Sequence, residues 1–219
     1  MATVISTTII QESLKASTRL HNEYALDTAM PQVDLSSDGV SEVARIIIKF
    51  GYRNLMRLRL LHRHLDLPEG YILLEKSIPG GYWIEPTPVQ KIDLGQTCGQ
   101  IFSVYRGGLL PTEFRCGPSN LALDAKFSME LAKALLQNNL DAILGIEVVR
   151  DGKRCKMIET SDDSGSLLRD EATVTLTNRE TLQGTAWAVT GDGVVDQAAE
   201  VRCVVLEGTH RRVTPKPMN

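Results

Sequence analysis

Two of the four histidines in this 219-residue chain, His62 and His64, stand one residue apart in "LRLLHRHLDLPEG". Two imidazoles and a carboxylate on one face of a sheet can hold a divalent transition metal and leave positions open for a substrate. A hairpin would supply the carboxylate. If "DLPEG" is a turn centred between Pro68 and Glu69, His64 opposes Leu73 and His62 opposes Glu75, with opposed side chains about 4.5–5.5 Å apart at Cβ. His210, after the last strand, is an added ligand. A slip of one residue would carry Glu75 to the other face. A second reading makes both imidazoles the end of a strand, hydrogen-bonded to backbone carbonyls or to Asp66 and Glu75. A third uses them for acid–base chemistry without a metal. The residues alone leave the three open.

The element that must position these histidines is read from the period of "LMRLRLLHRHL". Even positions are Met56, Leu58, Leu60, His62 and His64; odd positions include Arg57, Arg59 and Arg63. Alternation of this kind predicts a strand that sends the histidines the same way as Leu58 and Leu60, toward the core, and the arginines the other way. The arginine face could receive an acidic small molecule or protein. Its plainer reading is a solvated face balanced by nearby Asp and Glu. Tyr82 and Trp83 in "GYWIEP" could rim a pocket or belong to a hairpin core.

His62-Arg63-His64 followed by Glu69 resembles part of the first cupin motif, a His-x-His pair with a Glu a few residues on. Met56 and Lys76 stand where the motif has its flanking glycines. The resemblance implies a small barrel with a metal inside, held by His62, His64 and Glu69, with His210 as the later histidine. "LLHRH" after a helix also resembles a set of uncharacterised fungal proteins, over about residues 40 to 76, and that likeness implies no activity.

Around this segment the pattern predicts a mixed architecture. Val43, Ile46, Ile47 and Phe50 recur at helical spacing behind Ser41 as cap, with Gly51 to end the helix. Phe127, Leu131 and Leu135 mark a second helix within 121–140. "YILLEKSI", "GYWIEP", "QIFSVYRGG", "LPTEFRCGPS", "AILGIEVV", "EATVTLTN", "LQGTAWAVT" and "AEVRCVVLEG" read as strands, "ETSDDSGS" as a loop and "TGDG" as a turn. No regular βαβ alternation occurs. The fold class is therefore α+β: a largely antiparallel, potentially barrel-like sheet with two main helices. Residues 1–36 form an N-terminal arm with one helix, and 37–219 a single α+β domain. Ile9, Ile10 and Leu14 of the arm could cover the body or a second subunit of a homo-oligomer.

Composition narrows the function. A net charge of −3 gives no field for nucleic acid, and aromatic residues at 5% give no base-stacking platform. No apolar run spans a membrane, and the N-terminus lacks the features of a signal peptide, so a soluble intracellular protein is expected. Cys98, Cys116, Cys155 and Cys203 lack the CxxC spacing of zinc ribbons and read as free thiols; Cys203 reads as core. "RCGPSN" offers Cys116 and Ser119 as nucleophiles, but is more simply a turn with Ser119 or Asn120 as a cap. No phosphate loop or nucleophile elbow is present. The expectation is a binding or interaction protein with a sheet-lined pocket, its partner a small molecule or a protein. The alternative is a small metal-dependent enzyme with a His-x-His/Glu site and one divalent transition metal as cofactor.

Overall fold

The computed structural model describes residues 7–26, 30–117, 123–150, 155–177, 180–206 and 209–210, with side chains left out at 7–11, 206, 209 and 210. Among the described residues there are three α-helices: α1 (Thr7–Glu23), α2 (Asp38–Lys49) and α3 (Ala125–Gln137). The strands are β1 (Met56–Leu60), β2 (Tyr71–Ile78), β3 (Gly81–Pro88), β4 (Thr97–Tyr105), β5 (Gly108–Cys116), β6 (Leu144–Val148), β7 (Met157–Asp162), β8 (Gly165–Asp170), β9 (Glu180–Ala188), β10 (Val201–Leu206) and the short β11 (Thr209–His210).

Among the described residues the strands run β10-β7-β8-β3-β2-β5-β4-β6-β1-β9, and β9 pairs back onto β10 to close a ten-strand barrel. β11 adds to β10 at Val205↔His210. Among the described residues closure gives each of the ten barrel strands a neighbour on both sides, which is how an all-strand wall avoids pairing with other chains. The expected α+β, barrel-like class is observed. Two details differ: the junctions β2–β5 and β7–β10 are parallel, so the barrel is mixed, and α1 makes a third helix.

The wall has an apolar outer face where the helices lie. α2 starts earlier than its pattern suggests, because Ser37 rather than Ser41 caps it by accepting from Val40 N at 3.4 Å. Gly51, at φ +77°, ends that helix in the left-handed region, as expected. Val40, Val43, Ala44 and Ile47 of α2 and Phe127, Leu131 and Leu135 of α3 pack on Met56, Leu58, Leu60, Leu144 and Ile146. Phe127 is fully buried and meets Tyr52 and Phe50 edge-on, with centroids 4.6 and 5.5 Å away.

The hairpin expected after β1 does not form. β1 pairs with β6 and β9, whereas β2 pairs with β3 and β5. Every residue of β1 is buried, so both of its faces need cover and the strand sits mid-wall. The chain from 61 to 70 instead crosses the barrel end against α1. Arg63 N donates to Ala25 O (2.9 Å), Leu67 N to Asn22 Oδ1 (2.8 Å) and Asn22 Nδ2 to Leu67 O (2.9 Å). Thr18 Oγ1 adds a bond to Tyr71 O (2.6 Å), so α1 docks on its own barrel. Two further readings change. "ETSDDSGS" is a hairpin formed by β7 and β8, and within "EATVTLTN" Glu171–Thr173 form a single helical turn rather than a strand.

Phe127→Ala should remove the largest fully buried side chain of the helix–barrel layer. We expect a loss of roughly 3–5 kcal/mol, measured by urea unfolding. A loss below about 1 kcal/mol would show that this layer does not hold the helices.

Candidate metal centre in the barrel lumen

Because Met56, Leu58 and Leu60 face the helices, Arg57 and Arg59 face the lumen. They are 2% and 5% exposed, so the arginine face is not a solvated surface. Arg57 Nη2 meets Glu147 Oε1 at 2.5 Å, and its Nη1 lies 3.5 Å from Glu200 Oε2. Arg59 Nη2 lies 2.9 Å from Glu159 Oε2, and its Nη1 3.8 Å from Glu147 Oε2. Arg150 clamps Glu75 through Nε (2.7 Å) and Nη2, and Gln100 Nε2 donates to Glu75 Oε2 at 3.1 Å. Burial opposes the charge on Glu147, but Arg57, Arg59 and Arg150 more than offset it and hold the carboxyl down at about 2. Burial likewise works against Arg59, and Glu159 and Glu147 keep it charged.

The chain leaves β1 after Leu60 and turns both histidines into this lumen, not toward the helix face. His62 Nδ1 lies 3.0 Å from Leu60 O, and the two imidazole rings meet edge-on with centroids 4.9 Å apart. Glu159 of β7 and Cys203 of β10 complete the group. Ligand atoms of His62, His64, Glu159 and Cys203 all lie within 4.8 Å of one another. Cys203 Sγ is 3.5 Å from His62 Nε2 and 3.3 Å from Glu159 Oε2, and Glu159 Oε1 is 3.2 Å from His64 Nε2. β7 and β10 bring Glu159 and Cys203 together as a register pair across their parallel junction.

Each group is tuned by its burial. The His62 imidazole is pushed well below its usual range, first by burial and then by His64 and Arg59, so it is neutral and has a lone pair to offer. Burial and the neighbouring Glu159 carboxylate push the Cys203 thiol up to about 11. Glu159 is opposed by burial, but Arg59 and His64 more than compensate and hold it well below the usual carboxylate range. Glu113 also faces this space, and burial pushes its carboxyl up to about 7. A cavity of about 10 Å³, room for about one water, is lined by His21, Arg59, His62, His64, Glu113 and Glu159 among others.

This group can coordinate an ion through two nitrogens, one sulfur and one oxygen. It is poorly suited to nucleophilic attack, because Cys203 is fully buried and its thiol pKa is raised rather than depressed. Of the other residues read from the sequence, Glu75 belongs to Arg150 and Gln100, not to His62. Glu69 is exposed on a separate cleft beside Lys15, Arg19 and Asn22, so the cupin-like set His62, His64 and Glu69 is not assembled. His210 contributes backbone pairing, and its side chain lies outside the described residues. Arg63 leaves the arginine row to bond Tyr24 O (2.8 Å) and Asp66. Tyr82 lies under the Arg150 guanidinium at 4.5 Å, and Trp83 Nε1 donates to Glu85 Oε2 at 2.8 Å, so neither ring lines the metal cavity. Cys116 is exposed, Asp124 rather than Ser119 or Asn120 caps α3, and Ser119 lies outside the described residues.

Glu159 and Cys203 were not legible as site residues. Glu159 sits in a stretch read as a loop, and Cys203 alternates with Val201 and Val205 as a core residue would. Their partners lie 95 and 141 positions away along the chain. No protein-family model matches the chain, and no curated protein and no solved structure matches it. No helix among the described residues is long and apolar enough to cross a membrane.

The Glu147 carboxyl gives a pH signature. Its folded value near 2 is below the ordinary 4.5, so its stabilisation is complete above about 4.5 and is lost as the pH falls from there toward 2. Glu147→Gln should cost roughly 3–5 kcal/mol at neutral pH, because it takes from buried Arg57 its nearest carboxylate and from Arg59 and Arg150 a second one. It should also flatten the fall in stability below pH 4.5. Urea unfolding across a pH series measures both, and parallel curves for the two proteins would show that Glu147 is not the titrating group.

Proposed function

We propose that this chain is a metal-binding β-barrel protein in which His62, His64, Glu159 and Cys203 hold one divalent transition metal. Zn²⁺ fits the donor set best, since it takes imidazole nitrogen, thiolate and carboxylate together. The observation that carries the reading is the spacing of the donors. Zinc bonds of ~2.0–2.3 Å imply tetrahedron edges of ~3.3–3.8 Å. Three of the six donor separations, 3.2, 3.3 and 3.5 Å, fall at or close to that range, and all six are within 4.8 Å. The two edges to Glu159 run to different carboxylate oxygens, so a small turn of that carboxylate about its stem is needed to complete the shell.

The surroundings support the same reading. A ligating imidazole is normally held by a hydrogen bond from its other nitrogen to a carbonyl or carboxylate. His62 has such a bond from Nδ1 to Leu60 O, which leaves Nε2 facing Cys203. Binding would deprotonate the Cys203 thiol, and the metal's charge would offset both the thiolate and the crowded acids Glu113 and Glu159. Without an ion the same residues form a hydrogen-bonded network, anchored by Arg59 on Glu159. The interior position, sealed by the wall, suits a structural or carrier metal better than turnover of a large substrate.

Metal content of untagged protein, by inductively coupled plasma mass spectrometry, tests this beside His62→Ala/His64→Ala and Cys203→Ser. One equivalent of zinc or a neighbouring transition metal, lost in the double histidine variant and weakened in Cys203→Ser, is the expected result. No metal as purified, together with no uptake of added Zn²⁺, Co²⁺ or Ni²⁺, would leave the four residues as a hydrogen-bond network. Attention would then move to the open cleft of about 750 Å³ on the outer wall, lined by Lys76, Glu85, Thr87, Lys91 and Asp93 among others, which is of a size that takes small ligands.

A further inference from the structure

α1 brings a third imidazole to the same place. His21 is 1% exposed and lines the small cavity together with His62 and His64. Its Nε2 lies 3.3 Å from Leu65 O, while its Nδ1 is buried and has no hydrogen-bond partner among the described residues. A buried ring nitrogen without a partner is costly unless something in the adjoining space satisfies it. Like His62, His21 ties one ring nitrogen to a backbone carbonyl, and its Nδ1 then carries the lone pair.

His21 is not within direct ligand reach of the other four, since the group whose donor atoms lie within 4.8 Å of one another is His62, His64, Glu159 and Cys203. The cavity between them, at about 10 Å³, has the size of one water, and Arg59, Glu113, Glu159 and Ser166 give such a water the polar partners it needs. We propose that His21 is a positioning residue of the metal centre, joined to it through a single water in this cavity, so that docking of α1 and occupancy by the metal stabilise each other. The water donates one hydrogen to His21 Nδ1 and the other to a carboxylate of the cavity. This inference rests on the metal reading and extends the centre to the helix that closes this end of the barrel. Asn22, Thr18 and His21 of α1 all bond to the segment 65–71 that leads away from the histidines, so helix and ligands share one mechanical connection.

The test uses the full chain and Zn²⁺. Affinity is read by competition with a chromophoric chelator for wild type, His21→Ala and His21→Gln. Amide hydrogen exchange over residues 12–26 is read with and without metal. Loss of an outer-shell partner typically lowers metal affinity by about 10–100-fold. His21→Ala should show that loss with binding still one-to-one, and should abolish the protection that metal gives to α1. His21→Gln keeps an acceptor and should recover part of both; it also serves if the alanine variant fails to fold. Unchanged affinity and unchanged metal-dependent protection in both variants, with wild type loading normally, would overturn the role of His21 and leave the metal centre standing. A wild type that takes up no metal would overturn both.

Discussion

Arg59 against Glu159, deep in the lumen, is the contact on which the interior is organised. A guanidinium in that position is tolerable only if carboxylates surround it, and the barrel supplies Glu159 from β7 and Glu147 from β6. Arg57 and Arg150 extend the same arrangement to Glu200 and Glu75. Ion pairs of this kind are weak sources of net stability, since desolvation offsets most of their attraction, but removing one partner is costly. Their consequence here is geometric. Each pair needs strands from different parts of the chain in one register, so the network specifies how the barrel closes.

The candidate centre is the end of that network. Arg59 and Glu159 belong to both: the carboxylate that pairs with the arginine also lies against His64 and Cys203. This sharing keeps Glu159 ionised in an interior that would otherwise favour its protonated form. Burial, then His64 and Arg59, keep the His62 imidazole neutral. An ionised Glu159 and a neutral His62 are the states a metal needs from these two residues. The Cys203 thiol must give up a proton. The barrel therefore presents Glu159 and His62 in their binding states, and at a depth where water competes little.

Part of this was legible in the chain. Helical spacing located the apolar faces of α2 and α3, and Phe127, Leu131 and Leu135 are buried as their spacing implies. Short alternating runs with few βαβ signals indicated an α+β protein with a barrel-like sheet. The pair His62 and His64 marked the right neighbourhood for a site. These features are local: the period of a helix or strand is written within a few residues, and an uncommon residue type placed twice in a row of three stands out whatever lies around it.

The sequence by itself therefore determined most of the element types, the apolar faces of α2 and α3, and two members of the candidate group, His62 and His64. Tertiary structure decided the partners. The hairpin read at "DLPEG" failed because β6 and β9 take both edges of β1, and the arginine face read as solvated is instead satisfied in the lumen. Glu75 was paired with His62 by that reading, whereas Arg150, from beyond β6, claims it. Glu159 and Cys203 carry no local mark of function, because what makes them donors is the parallel register of β7 with β10 and the closure that sets it beside the histidines. Strand pairing over such separations is chosen by the whole set of buried contacts at once, and no window of neighbouring residues contains that information.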